Sequence, residues 1–285
     1  MRPRKSLVLA TVAVWLLAGC GEGSGRRSSI QTPAAVVPTS GNWAFPPAVL
    51  SSVGLVTSQP FIGGSLVANG DAISTDFLVL PVFPSCPMGE DSLDATLTAQ
   101  VKGSQMTLTS APWNNGVFTV TAQVAADGNS FSGDWSVKGG CGDGVSGLLA
   151  GSFIPNVTGT WAGALTPEPG KSSTPLTGAS VTLQMAQALT PNRYSYPLSG
   201  TLTISGSTCG LLSGTLMQVP VGYPSAPSSI SGYNWTAEAQ MSDGRSLVIA
   251  VGVMNPSIPG SWVMELGVSG GTCDGAMGSA TLARQ

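Results

Sequence analysis

The chain has 285 residues, with 11 Lys and Arg, 14 Asp and Glu, a net charge of −3 and no histidine. That balance argues against a nucleic-acid partner, which needs a basic footprint. The missing imidazole removes Ser-His-Asp catalysis, Cys-His catalysis and His-ligated metal. Hydrophobic residues make up 42% of the chain, too many for wholesale disorder, and 38 Gly with 21 Pro make it rich in turns.

The amino terminus has three parts. Arg2, Arg4 and Lys5 form a positive start, and residues 6–18 form an apolar run too short for a comfortable membrane span. Leu17-Ala18-Gly19-Cys20 follows. This segment resembles the signal peptide and lipobox of bacterial lipoproteins. The resemblance implies cleavage after residue 19, a diacylglycerol on the Cys20 thiol and acylation of its new amino group. Gly21, where an Asp would stand in retained lipoproteins, points by the same resemblance to the outer membrane of a diderm host. At least two acyl chains are needed for stable anchoring. Residues 1–19 are thus expected to be an export signal. Residues 20–40, built of Gly, Ser, Arg, Pro and Thr around the lipidated Cys, read as a flexible tether.

Beyond the tether the chain repeats itself. Gly41-Asn42-Trp43-Ala44 opens one half and Gly159-Thr160-Trp161-Ala162-Gly163 the other. Gly64-Ser65-Leu66 matches Gly200-Thr201-Leu202, and Asp127-Gly128 matches Asp243-Gly244. Trp135 before Cys141-Gly142-Asp143 matches Trp262 before Cys273-Asp274. Each half carries three tryptophans, namely Trp43, Trp113 and Trp135, then Trp161, Trp235 and Trp262. Two domains are expected, 41–155 and 156–285. Four cysteines besides Cys20 allow three pairings, and the repeat selects Cys86 with Cys141 and Cys209 with Cys273.

Short alternating segments run through both halves. Residues 96–101, 105–109 and 117–124 alternate apolar with polar, as do 180–185, 200–204 and 235–241. Period two suits a sheet with one wet face. No stretch of about 12 residues outside the signal has helical periodicity. The expected fold is all-β, with two similar small antiparallel barrels or sandwiches after the signal and tether. The opening Gly-x-Trp resembles the first strand of lipocalin- and avidin-like barrels, which implies that Trp43 and Trp161 plug one end. The combination of lipobox, duplicated Gly-x-Trp and one Cys pair per half is similar to tandem-repeat β lipoproteins of acidobacterial type, a resemblance that implies no activity.

The chemistry is thin. Lysine is scarce after the signal, and no Ser-x-x-Lys, Walker loop or dinucleotide Gly pattern is present. Glu90, Asp91 and Asp94 form the densest carboxylate group and read as a solvated loop; Asp143 and Asp274 read as turn residues beside Gly. Trp113, Tyr194, Tyr196, Tyr223 and Tyr233 are the aromatics expected to meet a ligand by stacking on a sugar or gripping an apolar molecule. No catalytic residue, metal or cofactor is expected. The reading is a membrane-anchored, exported, non-enzymatic binder of an apolar small molecule, a glycan or a protein. A structural envelope lipoprotein or an inhibitor of an exogenous hydrolase is the alternative, and a carboxylate-dependent hydrolase comes last.

Overall fold

The alternating segments become strands of two closed barrels. The computed structural model describes residues 35–45, 49–51, 54–56, 61–69, 72–79, 93–112, 115–169, 174–218, 228–254 and 260–285, with backbone alone at 49–51, 54–56, 61–62, 72, 78–79 and 93–95.

Barrel one begins with β1 (Gly41–Ala44). A small ribbon, β2 (Val49–Ser51) with β3 (Gly54–Val56), stands apart from the barrel sheet. The barrel continues through β4 (Phe61–Asn69), β5 (Ala72–Val79), β6 (Leu93–Lys102), β7 (Gln105–Ser110), β8 (Gly116–Val124), β9 (Ser130–Gly139) and β10 (Ser146–Ile154). Each strand pairs antiparallel with the next, and β1 closes the ring between β10 and β4.

Barrel two is built the same way from β11 (Gly159–Ala164), β12 (Thr166–Pro167), β13 (Ser180–Gln187), β14 (Tyr196–Ser205), β15 (Leu212–Leu216), β16 (Ser229–Ser231), β17 (Asn234–Met241), β18 (Leu247–Met254), β19 (Ser261–Ser269) and β20 (Met277–Arg284). Here β11 pairs with both β13 and β20, closing the ring, while β12 extends the seam along β20 and β16 bridges β14 and β17. Ring closure leaves the described strands of each barrel without the free edge of an open sheet.

Period-two patterning explains the in and out faces. Phe118, Val120, Ala122 and Val124 of β8 are buried, while Thr121 and Gln123 between them are exposed. The opening strands are twins. Trp43 Nε1 donates to the Thr39 carbonyl and Trp161 Nε1 to the Val157 carbonyl, both at 2.9 Å. Gly41 and Gly159 precede them at φ 148° and 149°, a bend that a side chain resists. Trp43 is wholly buried and Trp161 nearly so, as the plug reading expects.

The two barrels are similar, but their register differs from the sequence matching. Gly139 N donates to Asp143 Oδ1 and Gly270 N to Asp274 Oδ1, each at 2.6 Å, so these two turns superpose residue on residue. Counting back along β9 and β19, Phe131 occupies the place of Trp262, and Trp135 that of Leu266. Cys141 and Cys273 fall one position apart. Gly64 lies on the second strand of its barrel and Gly200 on the third, so they are not counterparts either. Asp127-Gly128 turns β8 into β9, whereas Asp243-Gly244 turns β17 into β18, the hairpin before. Asp-Gly recurs because hairpin turns need it, and shared turn chemistry does not specify shared position.

Ala34–Gln285 forms one compact unit. A turn of barrel two sits on the outer wall of barrel one. Asn42 and Ser65 face away from their own core yet are buried. Asn42 Nδ2 donates to the Gly232 carbonyl at 3.0 Å, and Gly232 N donates to Asn42 Oδ1 at 2.7 Å. Ser65 Oγ donates to the Arg193 carbonyl at 2.8 Å. A Cβ at Gly63 would come within 2.6 Å of Gly232, so bare backbone is needed for the approach.

Candidate functional site

Among the described residues both interiors are packed with side chains. In barrel one Trp43 stacks on Phe131 at 4.9 Å, and Phe45 meets Phe77 edge-on at the same distance. In barrel two Trp262 stands perpendicular to Trp161 at 5.9 Å and to Trp235 at 6.3 Å. Leu66, Leu97, Met106 and Leu108 complete one core; Leu183, Leu202, Met264 and Leu282 help fill the other. An eight-stranded ring is just wide enough to be filled in this way. The indole N–H groups of Trp235 and Trp262 meet no acceptor among the described residues.

The residues expected from sequence are scattered. Cys20, Cys86, Trp113, Tyr223, Glu90 and Asp91 lie outside the described residues. Cys209 and Cys273 form a disulfide with Cα atoms 5.9 Å apart, tying the β14–β15 turn to the β19–β20 turn. Cys141 is also disulfide-bonded. Tyr196 is 2% exposed within the core of barrel two, and burial pushes its phenol up to about 12. It fills the barrel and is not the exposed aromatic that its Pro-rich surroundings suggest. Tyr194 and Tyr233 are half-buried beside the joint between the barrels. There Ser231 Oγ donates to the Tyr194 carbonyl and Met254 N to the Tyr233 carbonyl.

The turn aspartates have local work. Asp127 accepts from Asn129 N. Asp243 accepts from the Ser246 hydroxyl and from the Ser246 and Arg245 amides. Those bonds, the hydroxyl first, hold its carboxyl below the ordinary value of 3.8. Among the described residues no group of His, Cys, Asp and Glu is arranged to hold a metal ion, and no helix is long and apolar enough to cross a membrane.

What the sequence reading missed lies on the outer walls. Ile249, Val251 and Val253 of β18 point outward, as does Val263 of β19, and each is 43–45% exposed. The ladder places Val253 opposite Val263, so the four are contiguous. Glu238 stands opposite Ile249 on one side and Glu265 opposite Val251 on the other. The signal was available: residues 247–254 read Leu-Val-Ile-Ala-Val-Gly-Val-Met, apolar on both faces where a sheet with one wet face would alternate.

Each barrel also bears a shallow depression on the wall across β9–β10 or its counterpart β19–β20. In barrel one it has a volume of about 300 Å³ and is lined by Thr119, Thr121, Asp134, Ser136, Ser146 and Leu148, with Trp135 beneath. Trp135 reaches the depression because Gly147 opposite carries no side chain; a Cβ there would come 2.9 Å from the indole nitrogen. In barrel two it measures about 310 Å³, with Glu265, Leu266, Met277 and Ser279 facing Pro167, Glu168 and Pro169 across it. Asp134 and Glu265 occupy equivalent register positions, so each depression has a carboxylate at its rim.

No family model matches the chain, and no curated protein does. Among solved structures the chain is similar to kievitone hydratase from Nectria haematococca at 12% identity, over 86% of this chain and 89% of that one, with a TM-score of 0.22. At that level neither fold nor activity is carried over.

Proposed function

We propose that the protein is an exported lipoprotein, anchored to the outer membrane through Cys20, that binds a protein partner on the outside of its barrels and carries out no catalysis. The observation that supports an outer-wall role is the packing of both interiors by described side chains, the Trp161–Trp262–Trp235 cluster in one barrel and Trp43, Phe131, Phe45 and Phe77 in the other. A carrier of apolar molecules needs a vacant interior. The contiguous exposed apolar side chains on β18 and β19 favour a protein over a glycan. The lipobox residues Leu17-Ala18-Gly19-Cys20 support the anchor, and the lack of any histidine fits a non-enzymatic role.

Native mass spectrometry of the protein extracted from its host membrane tests this reading. The expected mass is that of the chain from Cys20 onward plus acyl groups, with no retained small molecule. A stoichiometric apolar ligand that survives desalting would return the protein to the carrier class. A Cys20→Ala chain that still takes up labelled palmitate would remove the anchor.

A structural role as an envelope spacer is the second reading. It is favoured by the buried Asn42–Gly232 pair, which joins the two barrels directly.

A further inference from the structure

The duplication supplies an internal control for the apolar wall. The ladder sets Thr119 opposite Ser136 in barrel one and Ile249 opposite Gly267 in barrel two. Ser136 and Gly267 are equivalent by the superposed turns, so Thr119, Thr121 and Gln123 correspond to Ile249, Val251 and Val253. On the neighbouring strand Ser132 corresponds to Val263. Four polar positions in one copy are therefore β-branched and apolar in the other, on the same outward face. The fold does not require this, because barrel one closes with hydroxyls and an amide at those places. Leaving such side chains in water gains nothing, whereas covering a contiguous group of them is favourable.

The surroundings of the row say what kind of surface covers it. Glu238 and Glu265 flank it on opposite sides. Glu265 also forms the rim of the barrel-two depression, where it faces a wall that includes Glu168, Pro167 and Pro169. The apolar row and this acidic hollow of about 310 Å³ thus run into each other through one residue. No Lys or Arg occurs in β17, β18 or β19. A hollow with carboxylates at its rim and Pro, Leu and Met along its sides suits the aliphatic stem and cationic head of a Lys or Arg. The same charges discourage an anionic lipid surface and a second copy of this wall, each of which would set negative charge against negative.

We infer that the β18–β19 wall of barrel two docks a protein whose contact face is apolar at its centre and carries a Lys or Arg that enters the hollow between Glu265 and Glu168. This rests on the outer-wall reading above and names the chemistry of its partner. The wall of barrel one, with Thr119, Thr121 and Gln123 in place of the apolar row, does not take the same partner.

The test uses the full-length chain in its own host, with a photoreactive benzophenone amino acid placed at Thr236 or Thr281. Both positions border the row without belonging to it. Thr121 on barrel one serves as the control position. The expected result is an adduct with one other protein from both barrel-two positions and little from Thr121, the cross-linked peptide carrying a Lys or Arg. In a Glu168→Lys, Glu265→Lys chain the adduct falls by roughly tenfold, the equivalent of about 1.4 kcal/mol in binding. Both substitutions are at exposed positions, and an unchanged thermal melt confirms that the barrel is intact.

An adduct that survives charge reversal undiminished overturns the basic anchor while leaving protein binding standing. An adduct only of the chain with itself, or only with lipid, overturns the proposed partner. No protein adduct from either barrel-two position or from Thr121 overturns both this inference and the outer-wall reading.

Discussion

Asn42 and Gly232 stand 190 residues apart in the chain and exchange two hydrogen bonds, the amide of one side chain pairing with the backbone of a turn in the other barrel. Asn42 is 1% exposed, so neither partner can turn to water when the other is removed. In Asn42→Ala the Gly232 N–H and carbonyl are left buried and unpaired, at about 1–3 kcal/mol for each stranded group. The expected outcome is a joint that opens before either barrel unfolds. Calorimetry would then resolve two transitions, and proteases would cut sooner in the connection at residues 155–158. A single transition at the parental temperature would show that the joint contributes nothing.

Trp262 and Phe131 occupy equivalent places, one in each barrel. Phe is therefore already accommodated at this position by the fold, and among the described residues Trp262 Nε1 has no acceptor that Phe would forfeit. Trp262→Phe is expected to be nearly neutral, within about 1.5 kcal/mol. Trp262→Ala removes the ring that Trp161 and Trp235 both pack against, at roughly 3–5 kcal/mol. Urea denaturation of both variants, followed by tryptophan fluorescence, checks the contrast. Equal losses would argue against the register equivalence.

The Cys209–Cys273 disulfide spans 64 residues of sequence and ties two turns at the same end of barrel two. Opening a loop of that size in the unfolded chain is worth about 4 kcal/mol in the chain-entropy account. The double replacement Cys209→Ser with Cys273→Ser is expected to lower the midpoint of barrel two selectively. Separate near-ultraviolet and calorimetric melts of the two barrels would reveal a loss shared equally by both, which would contradict the local role of the bond.

Tyr196 gives barrel two an alkaline limit. Burial raises its folded value to about 12 from the ordinary 10, so the unfolded chain ionises first. The associated stability is fully present below pH 10 and is lost as pH rises from 10 through about 12. Tyrosinate absorbance should show one of the tyrosines titrating late, coincident with unfolding. Tyr196→Phe should keep the fold and move the alkaline transition upward. A tyrosine titration complete before any structural change would refute this placement.

Much of the architecture is legible in particular residues. Val117 to Val124 alternates and is β8; Ser180 to Gln187 alternates and is β13. Gly41-Asn42-Trp43 and Gly159-Thr160-Trp161 mark the start of each barrel because a buried indole next to a bent backbone needs that pair of residues. The pairing of Cys209 with Cys273 follows from the repeat and is found. The matching of Trp135 to Trp262 fails because similar turns and similar aromatics recur in a barrel without sharing register. Tyr196 is misread as exposed because Pro and Ser around it suggest a loop, while its own position is the buried first residue of β14.

Composition and period two determined the class of this protein. Alternating Val, Thr and Leu can bury only one face, and sheets that close on themselves hide that face without an edge. The sequence alone also marks Cys20 as the odd cysteine, with the other four divided two and two between the halves. Which side chains meet across 190 residues, and which walls are left uncovered, could be decided only by the tertiary structure. Asn42 is an ordinary outward-facing residue until a turn of the second barrel arrives over it. Ile249, Val251, Val253 and Val263 are ordinary strand formers until the ring closes with them outside. Closure settles inside and outside for every strand at once, and no single strand carries that information by itself.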